Sequence, residues 1–193
     1  MSRRSFWCAG LAVAILFAAV GLAQEKQPRH PPDVPFVPTT PEAVQGMLKL
    51  ADVQKTDMVY DLGCGDGRIV IAAARDFGAR AVGIDIDPQR IAEAKENAKK
   101  AGVEKLVRFE ENDLFEADIH DATVVTLFLL SDVNLKLRPK LLKDLKPGTR
   151  IVSNTFDMGD WKPAIEATVG DPEQGPSLSH RLFLWIVPPL PKN

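Results

Sequence analysis

The sequence has few of the residues that build disulfide frameworks and metal centres. Its 193 residues include two cysteines and three histidines, and neither a CxxC nor an HExxH spacing occurs. Two cysteines cannot form a disulfide framework. His30, His120 and His180 are scattered along the chain. We therefore expect neither a structural nor a catalytic metal site.

The chain also lacks an excess of positive charge. Lysine and arginine number 24 against 26 aspartates and glutamates, for a net charge of −2. This balance gives no overall basic field, so we expect no nucleic-acid partner and no charge-driven membrane binding. No internal repeat is present. With 45% hydrophobic and 26% charged residues, the composition suits one globular domain.

Residues 1–23 are typical of a signal peptide. Arg3 and Arg4 precede an apolar run over residues 6–22, and the small residues Gly21 and Ala23 favour cleavage after Ala23. The alternative is an uncleaved N-terminal anchor, because the run is barely long enough to span a bilayer. Either interpretation places the domain across the cytoplasmic membrane, periplasmic or secreted, with membrane contact only if the segment is uncleaved.

We expect residues 24–38 to form a proline-rich linker or arm and residues 39–193 to form the main domain. Prolines in QPRHPPDVPFVP remove backbone donors and exclude regular secondary structure. The first helix is predicted to begin after Thr40 as N-cap, with Pro41 at the first helical position.

The stretch VYDLGCGDG, residues 59–67, has the pattern of a strand, a glycine turn and a helix start. Gly63, Gly65 and Gly67 alternate, and the helical pattern RIVIAAARDF follows at once. Such a turn brings backbone close to a nucleotide-like ligand, because glycine has no Cβ to block the approach. The GxGxG spacing and the absence of a hydride-relay residue disfavour a nicotinamide oxidoreductase.

Strand and helix patterns then alternate as far as residue 153. This alternation predicts an α/β, Rossmann-like, doubly wound and mostly parallel sheet. A helix over 133–145 contains Pro139, which we expect to kink or restart it. Residues 161–169 are predicted to hold a short helix and a strand. With the final strand at 181–187, this makes a seven-stranded sheet with an antiparallel C-terminal edge hairpin.

Three predicted strands end in aspartates on what should be one rim of the sheet. Ligands bind at the carboxyl ends of the strands in such folds. Asp85, about 20 residues after the glycines, is placed to accept bonds from ribose hydroxyls; Asp87 is the better helix cap. Asp113 is either a turn residue or an acceptor for an exocyclic amine beside Leu114. Asp61 either accepts backbone N–H bonds from the glycine loop or reaches the amine of the ligand.

The segments VYDLGCGDGRIVI, GIDIDP and ENDLF together resemble the class I, seven-strand S-adenosylmethionine-dependent methyltransferases. Within that class the chain is similar to small lysine methyltransferases related to the mitochondrial enzymes for the ATP synthase c-subunit and the adenine nucleotide translocase. The shared features are the VPTT arm at 37–40, the DGRIVI run at 66–71 and the tryptophan-proline segment at 161–163.

The resemblance implies S-adenosyl-L-methionine as cofactor and assigns the residues that bind it. It implies the methionine part at Asp61, Gly63, Cys64, Gly65 and Gly67, the ribose at Asp85, and the adenine at Asp113 and Leu114, with Thr39 and Thr40 closing from the N-terminal side. One departure is informative. The Asn/Asp-Pro-Pro-aromatic motif after strand four is replaced by TLFLL at 126–130, so adenine-N6 or glutamine methylation is not expected.

The predicted reaction is in-line methyl transfer to a protein lysine or another small amine. Phe128, Phe156 and Trp161 follow strands four and five and are the substrate-pocket candidates, although each is equally consistent with core or lid packing. No general base is identifiable from the sequence, and the catalytic residues stay unknown. The alternative function is an exported module that binds the cofactor or a nucleoside without turnover, because a compartment outside the cytoplasm is not expected to supply the cofactor.

Overall fold

The computed structural model describes residues 31, 34–170 and 179–189. The predicted signal segment, 1–23, lies outside these residues, as does the linker apart from 31 and 34–38. In chain order the elements are α1 (Pro41–Leu50), β1 (Met58–Leu62), α2 (Arg68–Phe77), β2 (Arg80–Asp85), α3 (Pro88–Ala101), β3 (Val107–Glu111), β4 (Val124–Leu127), α4 (Ser131–Asp144), β5 (Arg150–Asn154), β6 (Ile165–Gly170) and β7 (Ser179–Ile186).

The seven strands form one sheet in the order β3-β2-β1-β4-β5-β7-β6. The first five are mutually parallel, whereas β7 runs antiparallel to both β5 and β6. The carboxyl ends of β1, β2, β3 and β4 therefore meet on one rim. The predicted Rossmann-like sheet with an antiparallel C-terminal edge is confirmed.

Apolar residues cover both faces of the sheet, which explains the almost uninterrupted hydrophobic strands. On one face, side chains of α1, α2 and α3 such as Met47, Val70 and Ile91 join the core. On the other face, α4 packs through Leu137 and Leu141. This two-sided burial is the physical basis of the doubly wound arrangement.

The helix boundaries follow local chemistry. The hydroxyl of Thr40 accepts a bond from the amide of Ala43 and caps α1, and Asp87 caps α3 through the amide of Gln89. Gly78, in the left-handed region, ends α2. Pro139 does not restart α4, which is a single helix from Ser131 to Asp144.

One sequence prediction was wrong. The structure has no helix between Trp161 and Val169; irregular chain leads into β6, which begins at Ile165. Pro163 restricts the residue before it to extended conformations, and β7 offers paired backbone groups to β6. Among the described residues, no helix is long and apolar enough to cross a membrane.

Candidate active site

A cavity of about 400 Å³ lies at the carboxyl ends of the parallel strands. Its walls come from the N-terminal arm, from the turns after β1, β2, β3 and β4, and from the starts of α2, α3 and α4. The lining residues are 34–39, Asp61, Gly63, Cys64, Arg68, Ile69, 84–87, Arg90, 112–114, Phe128, Leu129 and Val133. This is the position at which open α/β sheets bind nucleotides.

Asp61 is a buried carboxyl at the end of β1, with 3% of its surface exposed. The hydroxyl of Thr126, its neighbour on β4, donates a 2.7 Å hydrogen bond to Oδ1. Burial raises the pKa of Asp61 to about 7; the bond from Thr126 opposes this shift, and the charges of Asp85 and Asp66 add to it. A cation bound in the cavity would restore its ionised form.

Asp85, at the end of β2, holds the glycine loop in place. Its Oδ2 accepts a 2.8 Å bond from the amide of Gly65, and its Oδ1 accepts a 3.0 Å bond from the amide of Asp87. Burial raises its pKa above the ordinary value, against the effect of these two bonds. The sequence suggested this backbone-binding role for Asp61, but the structure gives it to Asp85. A carboxylate has about four acceptor positions, so Asp85 can still accept from a ligand.

The turn after β3 supplies the third acid. Asp113 lines the cavity beside Leu114, and its Oδ1 accepts a 2.8 Å bond from the amide of Phe115. Asp113 is therefore a turn residue that also forms part of the cavity wall, and its role as an acceptor for an exocyclic amine stays a prediction.

Residues 34–39 of the N-terminal arm form one wall of the cavity. The guanidinium of Arg90 lies 4.7 Å from the ring centroid of Phe36, in cation–π geometry. Arg68 donates a 2.6 Å bond to the carbonyl of Thr39, and two further bonds to Asp66 fix its guanidinium. The sequence placed Phe36 in a linker and did not identify Arg68 or Arg90. The apolar pair Phe36-Val37 within a proline-rich stretch was the available signal.

Three of the predicted cofactor residues lie outside the cavity wall. Thr40 caps α1, and its hydroxyl also contacts Nε2 of His180 at 3.3 Å. A Cβ built on Gly65 would lie 2.3 Å from the ring of Phe36, and one on Gly67 would lie 2.8 Å from Phe109. These two glycines therefore make room for the protein's own side chains.

The three aromatic candidates separate into two groups. Phe128 lines the cavity, and Phe156 stacks on it with ring centroids 6.2 Å apart. Trp161 instead packs on Trp185, at 6.1 Å, and its carbonyl accepts a bond from the indole N–H of that residue. The structure thus brings Phe128 and Phe156 together and packs Trp161 against the core on the α4 face of the sheet.

The described residues contain no cluster of histidine, cysteine, aspartate and glutamate that could hold a metal ion. The features that are present suit an adenosyl-amino-acid ligand. Acids stand at three successive strand ends, the glycine turn follows β1, and Leu114 offers an apolar face at one end of the cavity.

The comparisons with known proteins agree with this geometry. The family model described as the ANTKMT methyltransferase domain matches residues 61–165. A protein-lysine N-methyltransferase of Saccharolobus islandicus is 47% identical over 157 residues, covering 81% of this chain and 95% of its own length. The adenine nucleotide translocase lysine N-methyltransferase of Mus musculus is 35% identical over 138 residues, and the aligned part spans 72% of this chain and 59% of the mouse enzyme.

A crystal structure described as an RNA methyltransferase from Salinibacter ruber, in complex with S-adenosyl-L-homocysteine, is also similar. It shares 53% identity with a TM-score of 0.74, over 81% of this chain and 98% of that one. No comparison supports the alternative of a binding module without turnover. The chain therefore belongs to the ANTKMT methyltransferase domain family and is an S-adenosylmethionine-dependent methyltransferase, as the sequence predicted.

Proposed function

We propose that the protein methylates the ε-amino group of a lysine in a protein substrate. The observation that carries this proposal is the aromatic pair Phe128–Phe156, which stands beside the cavity at the ends of β4 and β5. Aromatic faces attract an ammonium group and its methylated forms. They also pack against the aliphatic stem of a lysine.

We propose that the cofactor lies along the rim, with its adenosine end toward β2 and β3. Asp85 would accept from the ribose hydroxyls, and Asp113 and Leu114 would contact the adenine. Asp61, Gly63 and Cys64 would border the methionine part, with the ammonium near Asp61. Support comes from the cavity lining and from the burial of Asp61, which favours a cationic partner.

In this placement the protein's contribution is positioning and the exclusion of water. S-adenosylmethionine supplies an electrophilic methyl group when bound. The side chains of Phe128, Leu129 and Val133 give the acceptor an apolar approach. An apolar environment lowers the pKa of a lysine ammonium, which favours the neutral nucleophile, and alignment of donor and acceptor supplies much of the rate.

The similar proteins offer two acceptor classes, lysine and RNA, and the charges of the site favour lysine. Both cations of the cavity wall are already paired: Arg68 with Asp66 and Arg90 with Glu93. The wall also carries four aspartates, at 61, 85, 87 and 113. A polyanion would meet this negative charge, whereas a lysine side chain would be attracted by it.

A labelled-methyl transfer assay on lysate of the source cell tests the proposal. We expect label that resists ribonuclease, is released by protease and maps to lysine by mass spectrometry. Label that ribonuclease removes would contradict the proposal in favour of RNA. Phe128→Leu should slow transfer to the labelled protein, whereas Phe77→Leu, at the end of α2 and packed on the core, should not.

We also propose that the domain is exported. The proposal rests on the sequence of residues 1–23, with Arg3 and Arg4 before an apolar run and small residues before the polar chain. Cell fractionation with N-terminal sequencing tests it. A mature protein that begins at Gln24 outside the cytoplasm is expected, and a full-length protein in the cytosol would contradict it.

A further inference from the structure

The turn that follows β5 contains a residue in an unfavourable backbone conformation. Thr155 has a φ of +68°, in the left-handed region that β-branched residues rarely adopt. Among the described residues, only one other non-glycine residue, Asp52, has a positive φ. Strained backbone of this kind persists only where the surrounding structure holds it, and it concentrates at functional sites.

Hydrogen bonds within the turn and to a carbonyl of β7 hold Thr155 in place. Its amide donates a 2.6 Å bond to the carbonyl of Arg181 on β7. Its hydroxyl donates to Oδ1 of Asn154 at 3.0 Å, and the amide of Phe156 donates to the carbonyl of Asn154 at 2.8 Å. The side chain of Asn154 is itself fixed, because Nδ1 of His180 lies 3.2 Å from the same Oδ1.

A second buried amide, on α4, holds the other side of the turn. Asn134 has no exposed surface, and its Nδ2 reaches the carbonyls of Phe156 and Asp157 at 3.2 and 3.3 Å. Its Oδ1 accepts no hydrogen bond from the described residues. A buried polar side chain with half of its amide unsatisfied weakens the core. The bonds that Asn134 makes to this turn are thus maintained at a cost to stability.

These contacts fix the backbone on which the ring of Phe156 is carried. The turn directs Phe156 onto Phe128, with ring planes inclined by 26°, and Phe128 lines the cavity. With the adenosine end toward β2 and β3, this pair lies on the side of the cavity where β4 and β5 end. In the placement proposed above, that side would face the methyl-bearing end of the cofactor.

We propose that Thr155 and Asn134 are positioning residues for the methyl acceptor. They act through Phe156, whose ring they hold against Phe128 as the outer wall of the acceptor site. The inference rests on the proposed function for the nature of the acceptor. Both the strain at Thr155 and the unsatisfied oxygen of Asn134 lower stability, so selection for stability alone would not retain them.

The test measures acceptor KM, the Kd for S-adenosylmethionine and the melting temperature on the same set of variants. Thr155→Gly permits the positive φ without strain but removes the bond to Asn154 and frees the turn. We expect an equal or higher melting temperature, an unchanged Kd and an acceptor KM raised by about tenfold. Thr155→Asn, which tolerates the left-handed region and keeps a polar side chain, should return KM toward that of the wild type.

Asn134→Leu replaces the amide with an apolar side chain of similar volume and removes the two bonds to the turn together with a bond to the hydroxyl of Ser153. We expect the same rise in KM with an unchanged Kd. The matched control is Asp52→Gly, at the other non-glycine residue with a positive φ among the described residues, which lies at the opposite rim of the sheet. Because aspartate tolerates the left-handed region, this variant should change the melting temperature little and leave KM unaltered.

The outcomes separate this inference from the proposed function. The acceptor is whichever molecule the wild type labels in lysate, so an RNA acceptor would refute the lysine proposal and still allow the variants to be compared. Acceptor KM within about twofold of the wild type for both Thr155→Gly and Asn134→Leu, or Kd and KM rising in parallel, would overturn the positioning role.

Discussion

The ring of Phe36 occupies the space into which a side chain at Gly65 would project. A Cβ at that position would lie 2.3 Å from Cε2 of the ring, and Gly65 also has a φ of +52°. The glycine loop is therefore shaped to fit the arm of its own chain. Because the guanidinium of Arg90 lies over the same ring, the arm, the loop and α3 are joined at the wall of the cavity.

Substituting alanine for Gly65 should weaken cofactor binding as well as the fold. The methyl group would displace Phe36, and the positive φ would become strained, at a cost of about 1–2 kcal/mol in folding free energy. Loss of the arm contact should lower the affinity for S-adenosylmethionine by about tenfold or more, equivalent to about 1.4 kcal/mol. Calorimetric titration and urea unfolding measure the two effects.

Gly102→Ala is the matched control for that variant. Gly102 has a φ of +69°, and a Cβ there would meet nothing within 4 Å. Gly102→Ala should therefore lose folding free energy, as Gly65→Ala does, but bind the cofactor with the affinity of the wild type. Equal affinity in the two variants would mean that the contact between Phe36 and Gly65 does not contribute to binding.

Cofactor binding should depend on pH through Asp61. Burial raises its pKa from 3.8 to about 7, so the empty site is increasingly protonated as the pH falls below 7. If the cofactor ammonium lies near the carboxylate, binding favours the ionised form. Affinity should then fall by up to about tenfold per unit of pH below 7. Titrations in buffers of different ionisation enthalpy should show proton release, and Asp61→Asn should abolish it.

The same group predicts the pH dependence of stability. A raised native pKa means that the native state binds a proton that the unfolded chain releases between pH values of about 4 and 7. The contribution of Asp61 to the unfolding free energy therefore decreases as pH rises through this interval. Asp61→Asn should be more stable than the wild type at neutral pH, with a smaller difference at low pH. A constant difference in unfolding free energy across the interval would contradict the raised pKa.

Replacing Asp85 should lower folding stability as well as cofactor affinity. Asp85→Ala removes acceptors from the amides of Gly65 and Asp87 as well as the proposed bonds to the ribose. We expect a loss of about 1–3 kcal/mol in binding free energy and a measurable loss of folding stability. Asp87→Asn keeps a good helix cap and should leave folding stability close to that of the wild type. Unchanged cofactor affinity in Asp85→Ala would refute the ribose assignment.

A cluster at the opposite rim should affect stability without affecting binding. Arg150 donates to the carbonyls of Ala51 and Asp52 and pairs with the buried carboxylate of Asp57. Arg150→Ala would leave that carboxylate without its cation but with hydrogen bonds from Thr123 and Gln54, at a cost of about 1–3 kcal/mol in unfolding free energy. Under conditions where the variant is folded, its Kd for S-adenosylmethionine should match the wild type. A changed Kd would indicate coupling between the two rims.

Local chemistry made much of the fold predictable. Thr40 and Asp87 followed by proline mark helix starts, Gly78 marks a helix end, and the apolar strands imply a sheet covered on both faces. The acids at the ends of β1, β2 and β3 were predictable because parallel strands bring their carboxyl ends to one rim. These features depend on residues a few positions apart or on the alternation of strand and helix.

Contacts between distant parts of the chain were not predictable in the same way. Gly65 and Phe36 are 29 positions apart, and no periodicity relates them. Asp85 makes the bond to the loop amide that was expected of Asp61, because side-chain direction, rather than position at a strand end, decides which acid reaches that amide. Trp161 follows β5 in sequence, but the indole of Trp185 binds its carbonyl and directs the ring to the core.

The sheltered thiol of the glycine loop has a consequence for where this enzyme can work. Cys64 is 5% exposed, and burial, together with the nearby charges of Asp61 and Asp85, raises its pKa. The thiolate is the form that oxidants and disulfides attack, and it is disfavoured here. We expect such a thiol to resist oxidation in an oxidising compartment as well as in a reducing one, so the export that we propose would require no substitution at this cysteine.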